Sequence, residues 1–200
     1  MMINIKNSLE KTTEASVSGF YLTDLNLNAD SIHAVMINEV VPSNPKQDFY
    51  GGDSEGYLKT VLPLFQKAGA QVTSIHDILS MGIYLTNAVK TPKTEYTIET
   101  DTIKAHMSVL EEEISLFPNV KVIMLMGDVA KKAFNMISRK NTRKNVIPAI
   151  STYKLRDSEF FYNNIRVIPS YIMTGGNILI EKSKCEMASE DIRKMMALLP

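Results

Sequence analysis

The chain has 200 residues, and its 22 lysines and arginines balance its 22 aspartates and glutamates, so the formal net charge is zero. Hydrophobic residues make up 44% of the chain and no apolar run approaches the roughly 20 residues of a membrane span, so we expect one soluble domain over residues 1–200, with no membrane partner. A dedicated nucleic-acid-binding protein is usually basic, so the zero net charge counts mildly against that class.

Cysteine and histidine usage limits the chemistry. Cys185 is the one cysteine of the sequence, which excludes an internal disulfide and a multi-cysteine metal cluster. His33, His76 and His106 show no metal-ligand spacing, so we predict no metal and no cofactor. The N-terminal residues lack the apolar core of a signal peptide, and we therefore expect a cytoplasmic protein.

Strands and helices alternate along the chain. The predicted elements are a strand at 34–42, a helix at 53–69 capped by Asp53 or Ser54, a strand at 83–87, a helix at 99–117, a strand at 120–126, a helix at 127–137, a strand at 165–170 and a final helix at 189–199 capped by Ser189. The run at 120–126 is continuously apolar, as in a strand covered on both faces. This order predicts an α/β fold, a three-layer α/β/α sandwich around a mostly parallel central sheet.

Ligands of such sheets bind outside the carboxyl ends of the strands, so the loops there are the candidate sites. The loop at 37–52 opens with Asn38 and Glu39, and a carboxylate there could orient a water or stabilise a positive charge. Phe49 or Tyr50 could stack on a flat ligand. The alternative is a long polar loop whose aromatic residue anchors it to the core.

Asn87 ends the apolar run "IYLTN" and offers a donor beside an acceptor, as the edge of a pyrimidine requires. The alternative is an amide that satisfies nearby backbone in a turn. At 168–177, Pro169 and Ser170 could present a hydroxyl and backbone amides to a phosphate. The basic run at 139–144 is either a solvated surface loop or a phosphate contact.

From about residue 34 to residue 199 the order of these motifs resembles the uracil-DNA glycosylase superfamily. The best match is "IYLTNAVKTP" followed by "VLEEEISLFPNVKVIMLMGDVAKKAF", which is similar to the bacterial and archaeal branch that usually carries an iron–sulfur cluster. The resemblance implies the fold of that superfamily and a hydrolase that excises uracil or a related base during DNA repair, with damaged or uracil-containing DNA as its partner.

The resemblance also implies roles for residues of this sequence. Asn87 would hydrogen-bond the edge of the uracil, and Phe49 would stack on it, with Tyr50 as the alternative. Glu39 would help water to attack or stabilise the sugar cation, and Asn38 is a second candidate for catalysis.

The DNA backbone would be held by loops that the resemblance also identifies. Those loops contain Pro42, Ser43, Pro169 and Ser170, and Lys90 would be a loop or phosphate contact. A donor aimed at the departing base and a carboxylate near the sugar are what cleavage of an N-glycosidic bond requires.

The sequence departs from the family pattern at several positions, and the first motif is altered by Val40 and Val41 before Pro42. Ile168 stands where the family has a histidine that stabilises the departing base, and isoleucine donates no hydrogen bond. Thr91 and His106 stand where cluster cysteines are expected, so we predict no iron–sulfur cluster. The alternative function is therefore a weak or inactive nucleobase- or nucleic-acid-binding module on the same fold, and an unrelated small-molecule enzyme is a third hypothesis.

Overall fold

The predicted alternation of strands and helices is confirmed in a computed structural model, which describes residues 1–12, 17–51 and 56–200. The strands are β1 (Met2–Asn4), β2 (Asn26–Asn28), β3 (Ala34–Val41), β4 (Ile83–Pro92), β5 (Val122–Met126), β6 (Phe160–Tyr162) and β7 (Ile165–Ser170). The helices are α1 (Ile5–Thr12), α2 (Leu58–Lys67), α3 (Ile75–Ser80), α4 (Thr100–Ser115), α5 (Asp128–Thr142), α6 (Thr152–Leu155), α7 (Asn177–Ile180) and α8 (Lys182–Met196).

The central sheet has the strand order β4-β3-β5-β7-β6 in the described part of the chain. Neighbouring strands of this sheet pair in parallel, except that β6 pairs antiparallel with β7 at one edge. The predicted mostly parallel sheet is thus confirmed. β1 and β2 form a separate antiparallel pair, which the sequence did not predict.

Side chains of the sheet alternate between two apolar layers. Val35, Ile37, Ile123 and Leu125 pack with α1, α4 and α5 on one face, and Met36 and Met124 belong to the core on the opposite face, with α2, α3 and α8. Two covered faces explain why the strands are apolar without alternation. The predicted three-layer sandwich follows from this arrangement, and among the described residues no helix has the length and apolarity to cross a membrane.

Two helix starts differ from the predictions. The last helix begins at Lys182 rather than at Ser189, and the Ser189 hydroxyl lies inside it and donates to the Cys185 carbonyl at 2.9 Å. The predicted caps Asp53 and Ser54 lie outside the described residues. The helix that follows them begins at Leu58, so it is shorter than the prediction.

β4 is also longer than predicted. It continues past the predicted end at Asn87 to Pro92, because β3 runs beside it as far as Val41. The β3–β4 pair therefore extends beyond β5, which ends at Met126. Asn87 lies inside β4, level with the carboxyl end of β5, rather than in a loop.

Candidate functional site

Parallel pairing brings the two candidate asparagines together. Asn38 on β3 is in register with Asn87 on β4, one residue beyond the last β3–β5 pair. Asn38 Nδ2 donates to Asn87 Oδ1 at 2.8 Å, and the two residues are only 1% and 3% exposed. The structure thus brings these two predicted site residues into contact.

Asp48 is the third member of this buried group, and the sequence analysis did not identify it. Asn87 Nδ2 lies 2.9 Å from both carboxylate oxygens of Asp48. The Phe49 backbone N–H donates to Asp48 Oδ1 at 2.9 Å, and Asp48 is 4% exposed. The sequence offered one indication of this role, which is that Asp48 directly precedes Phe49, the predicted stacking aromatic.

The hydrogen bonds of this group run in one direction. An ionised carboxylate only accepts, so Asn87 turns its NH₂ group to Asp48 and its carbonyl to Asn38. Asn38 then donates through its NH₂ group, and its carbonyl accepts from Thr174 Oγ1 at 3.0 Å. We call Thr174, Asn38, Asn87 and Asp48 the amide chain. Its satisfied polar groups fix the orientation of both amides.

Burial raises the pKa of Asp48, although the hydrogen bond from Asn87 opposes that shift. The folded protein therefore binds this proton more tightly than the unfolded chain does. The contribution of Asp48 to stability is complete below its ordinary pKa, about 3.9, and is lost as the pH rises through the raised value.

Asp48→Asn removes this titration. The wild type loses the contribution of the Asp48 proton as the pH increases from about 4 to neutrality, and the variant does not. We therefore expect the free energy of unfolding of the variant minus that of the wild type to increase over this range. Urea unfolding of both proteins at several pH values measures the difference. A difference that stays constant with pH would contradict the prediction.

Glu39 points to the other face of the sheet, as the alternation of strand residues requires. Its Oε1 accepts from the Val129 backbone N–H, at the start of α5, at 3.0 Å. Gly127, with φ +98°, lets the chain pass Glu39 closely, because a Cβ there would overlap the carboxylate and Ile172. Burial raises the pKa of Glu39, the bond from Val129 opposes the shift, and the charge of Asp128 adds to it.

A groove of about 680 Å³ lies beside this edge of the sheet. Thr174, the outer end of the amide chain, lines it. Gly127, which lies against Glu39, lines it too. Asn38 and Glu39 therefore each contact a residue of the groove wall, although their side chains point to opposite faces of the sheet.

The predicted stacking aromatics have partners inside the protein, although both also line a separate cavity of about 270 Å³. Phe49 is 1% exposed in the apolar core, and its ring lies 5.3 Å from that of Tyr57. The Tyr50 hydroxyl accepts from the Leu85 backbone N–H at 3.0 Å, and its ring stacks on Tyr84. Tyr50 thus accepts a hydrogen bond from a backbone N–H group of β4, and both aromatic rings pack against other aromatic rings of the protein.

Lys90 does not fit the predicted contact with the DNA backbone. Its ammonium group forms a buried ion pair with Glu113 and a hydrogen bond with Thr86 Oγ1 at 2.6 Å. Glu113 also accepts from the hydroxyls of Tyr84 and Thr86, at 2.8 and 2.9 Å. The cation is fully used inside the protein, because Lys90 is only 3% exposed.

Three of the four loop residues predicted to hold the DNA backbone are buried. Pro42 and Pro169 are buried, and the Ser170 hydroxyl donates to Asp191 Oδ2 at 2.7 Å with no exposed surface. Ser43 is exposed, and its hydroxyl donates to the Lys93 carbonyl at 2.8 Å. Ser43 is the one of these four whose side chain is open to a phosphate.

The residues do not fit an iron–sulfur cluster. His106 is buried, its ring stacks on Phe20 with centroids 4.3 Å apart, and its Nδ1 lies 2.7 Å from the Thr102 carbonyl. Thr91 supplies no thiolate, and the single cysteine, Cys185, lies on α8. Within the described residues no group of three or more histidine, cysteine, aspartate or glutamate side chains could hold a metal.

Comparison with known proteins identifies a family. The model of the uracil DNA glycosylase superfamily matches residues 36–177, which include most of β3, all of β4, β5 and β7, and the whole amide chain. None of the curated proteins matches the chain.

Proposed function

The chain belongs to the uracil DNA glycosylase superfamily, and we propose that it recognises uracil or a related base in DNA and hydrolyses the N-glycosidic bond of that base. In this reaction the bond between the base and C1′ of the sugar breaks, and the base leaves with the electron pair. A water molecule then adds its oxygen to C1′, where one of its protons stays as part of the new hydroxyl, and its other proton goes to the departing base. We place this activity in the cytoplasm, in keeping with the single cysteine.

The orientation of Asn87 is the observation that carries this proposal. Its carbonyl accepts from Asn38 and its NH₂ group donates to Asp48. A uracil edge offers the same pair of partners, an N–H donor beside a carbonyl acceptor. The base would therefore replace Asn38 and Asp48 as the partners of an amide that is already oriented, which reduces the cost of ordering it.

Glu39 would supply the charge that the transition state needs. Cleavage leaves positive charge on the sugar, and a fixed carboxylate beside the groove stabilises it. Backbone hydrogen bonds from Val129 and Asp128, at the start of α5, hold this carboxylate in place beside the groove. Ser43, exposed just after the end of β3, is the remaining candidate for a contact with the DNA backbone.

A direct test is incubation of the protein, in excess, with a uracil-containing oligonucleotide, followed by alkali. We expect strand cleavage at the uracil position and none in the same oligonucleotide with thymine. Absence of cleavage at high protein excess and long incubation would refute the enzymatic proposal.

Binding without chemistry is a second candidate, and one observation favours it. Ile168 packs in the core, 7% exposed, at the position where the family has a donor for the departing base. Losing one such donor typically lowers the rate about 10²–10³-fold. Fluorescence titration with uracil-containing and plain oligonucleotides distinguishes this candidate, because it predicts preferential binding with no cleavage.

A further inference from the structure

A second groove adjoins the one at the sheet edge. It follows α5, has the same volume of about 680 Å³, and shares Asp128 and Ser151 with the first. Because the two grooves share these wall residues, we treat them as one surface, which we call the joined groove. It leads from the basic outer face of α5 to Gly127, beside Glu39.

Exposed apolar side chains concentrate along the joined groove. Tyr96 is 94% exposed and Tyr153 69%, and both line the part at the sheet edge. Ile172 and Ile150 also line the joined groove and are 42% and 51% exposed. They are four of the ten large apolar side chains exposed in the described part of the chain. Apolar surface gathered around a groove indicates a binding surface rather than scattered exposure.

The charge of the joined groove is positive. Its two acidic residues already have partners, since Asp128 pairs with Lys131 and Glu181 with Lys184, each at 2.6 Å. Lys132 and Arg139 also line the groove, and no carboxylate pairs with either of them in the described ranges. These two cations are therefore available to an anionic partner.

We propose that the joined groove binds single-stranded nucleic acid. Unpaired bases stack on Tyr96 and Tyr153, and Lys132 and Arg139 contact the phosphates. Aromatic rings beside cations are the usual platform for single strands, since every base has a face that can stack. A duplex hides those faces, so nearly complete exposure of a tyrosine ring favours a single strand. The inference deepens the proposed function, on which it rests for DNA as the occupant.

The groove also continues the candidate site. Lys93 lies near both parts, because its ammonium group is 5.6 Å from the centre of the Tyr96 ring and its charge lowers the pKa of Glu39. A strand that stacks on Tyr96 and Tyr153 therefore passes Thr174 and also Gly127, which lies against Glu39. This arrangement delivers an unpaired base to the site without the cost of opening a duplex.

Fluorescence anisotropy with a labelled single-stranded thymidine oligonucleotide tests the proposal, and a hairpin duplex is the comparison. We expect tighter binding of the single strand. The double variant Tyr96→Ala/Tyr153→Ala should weaken it roughly 30-fold or more, at about fivefold or more for each lost stacking contact. Phe161→Ala is the matched control, since Phe161 is an exposed aromatic (58%) on the edge strand β6, outside the joined groove, and it should bind as the wild type does.

Equal affinity for the duplex and the single strand would overturn the proposal, and so would an equal loss in the Phe161→Ala control. The oligonucleotide contains no uracil, so the result does not depend on excision. Tyrosine-dependent binding without excision would refute the proposed function alone. Excision of uracil from duplex DNA without tyrosine-dependent binding of single strands would refute this inference alone.

Discussion

Replacing Lys90 by methionine should lower the free energy of unfolding by about 3–5 kcal/mol, because it leaves the buried Glu113 carboxylate without its cation. Both side chains of this pair are almost fully buried, at 4% and 2% exposure. The loss should appear as a lower midpoint of urea unfolding with an unchanged slope.

A second substitution separates charge from packing. In Lys90→Met/Glu113→Gln no unpaired charge remains, because the glutamine carbonyl can still accept from Tyr84 while its NH₂ group donates to the Thr86 hydroxyl. We expect most of the lost stability to return in the double variant. If Lys90 instead contacted DNA, Lys90→Met would weaken DNA binding and its salt dependence while stability stayed at the wild-type level.

Glu39→Gln should lower the rate of base excision about 10²–10⁴-fold, because the amide keeps the hydrogen bond from Val129 but loses the negative charge. The first-order rate of base release at protein excess measures this effect. A variant that excises at the wild-type rate would remove Glu39 from the mechanism.

The pH dependence gives the same residue a second test. Burial raises the pKa of Glu39. As the pH is lowered, the wild-type rate should therefore begin to fall at a higher pH than it would if Glu39 had the pKa of an exposed glutamate. Asp128→Asn is the matched control, because removing that nearby charge should lower the pKa of Glu39 and move the fall to lower pH. A pH profile unchanged in Asp128→Asn would show that another group sets it.

The central strands were predictable because their residues carry the necessary information locally. Apolar residues without alternation at 120–126 indicated a strand covered on both faces, and β5 has both faces buried. The start of α8 was not predictable from Ser189, because Ser189 is polar yet completely buried within the helix. A cap and a helix-interior serine look the same in the sequence until the packing around them is known.

The contact between the two candidate asparagines follows from the register of two parallel strands. Asn38 and Asn87 are 49 residues apart in the chain, and parallel pairing places them in contact. The role of Lys90 depends on Glu113, which lies 23 residues away on α4, and local sequence does not indicate that partner. Ser170 and Asp191 are a further case, joined across 21 residues. In both cases a side chain that we predicted to contact DNA instead binds another side chain of the protein that is distant in sequence.

The central claim is that the Asn87 amide recognises the base. The rate of uracil release from an oligonucleotide, measured at protein excess for the wild type, Asn87→Ala and Asn119→Ala, tests it most directly. Asn119 is an exposed asparagine that bonds the Asp30 carbonyl near the opposite end of the sheet, so it is the matched control. We predict that Asn87→Ala lowers the rate about 10²-fold or more while Asn119→Ala keeps the wild-type rate. A folded Asn87→Ala variant that releases uracil as fast as the wild type would contradict the claim.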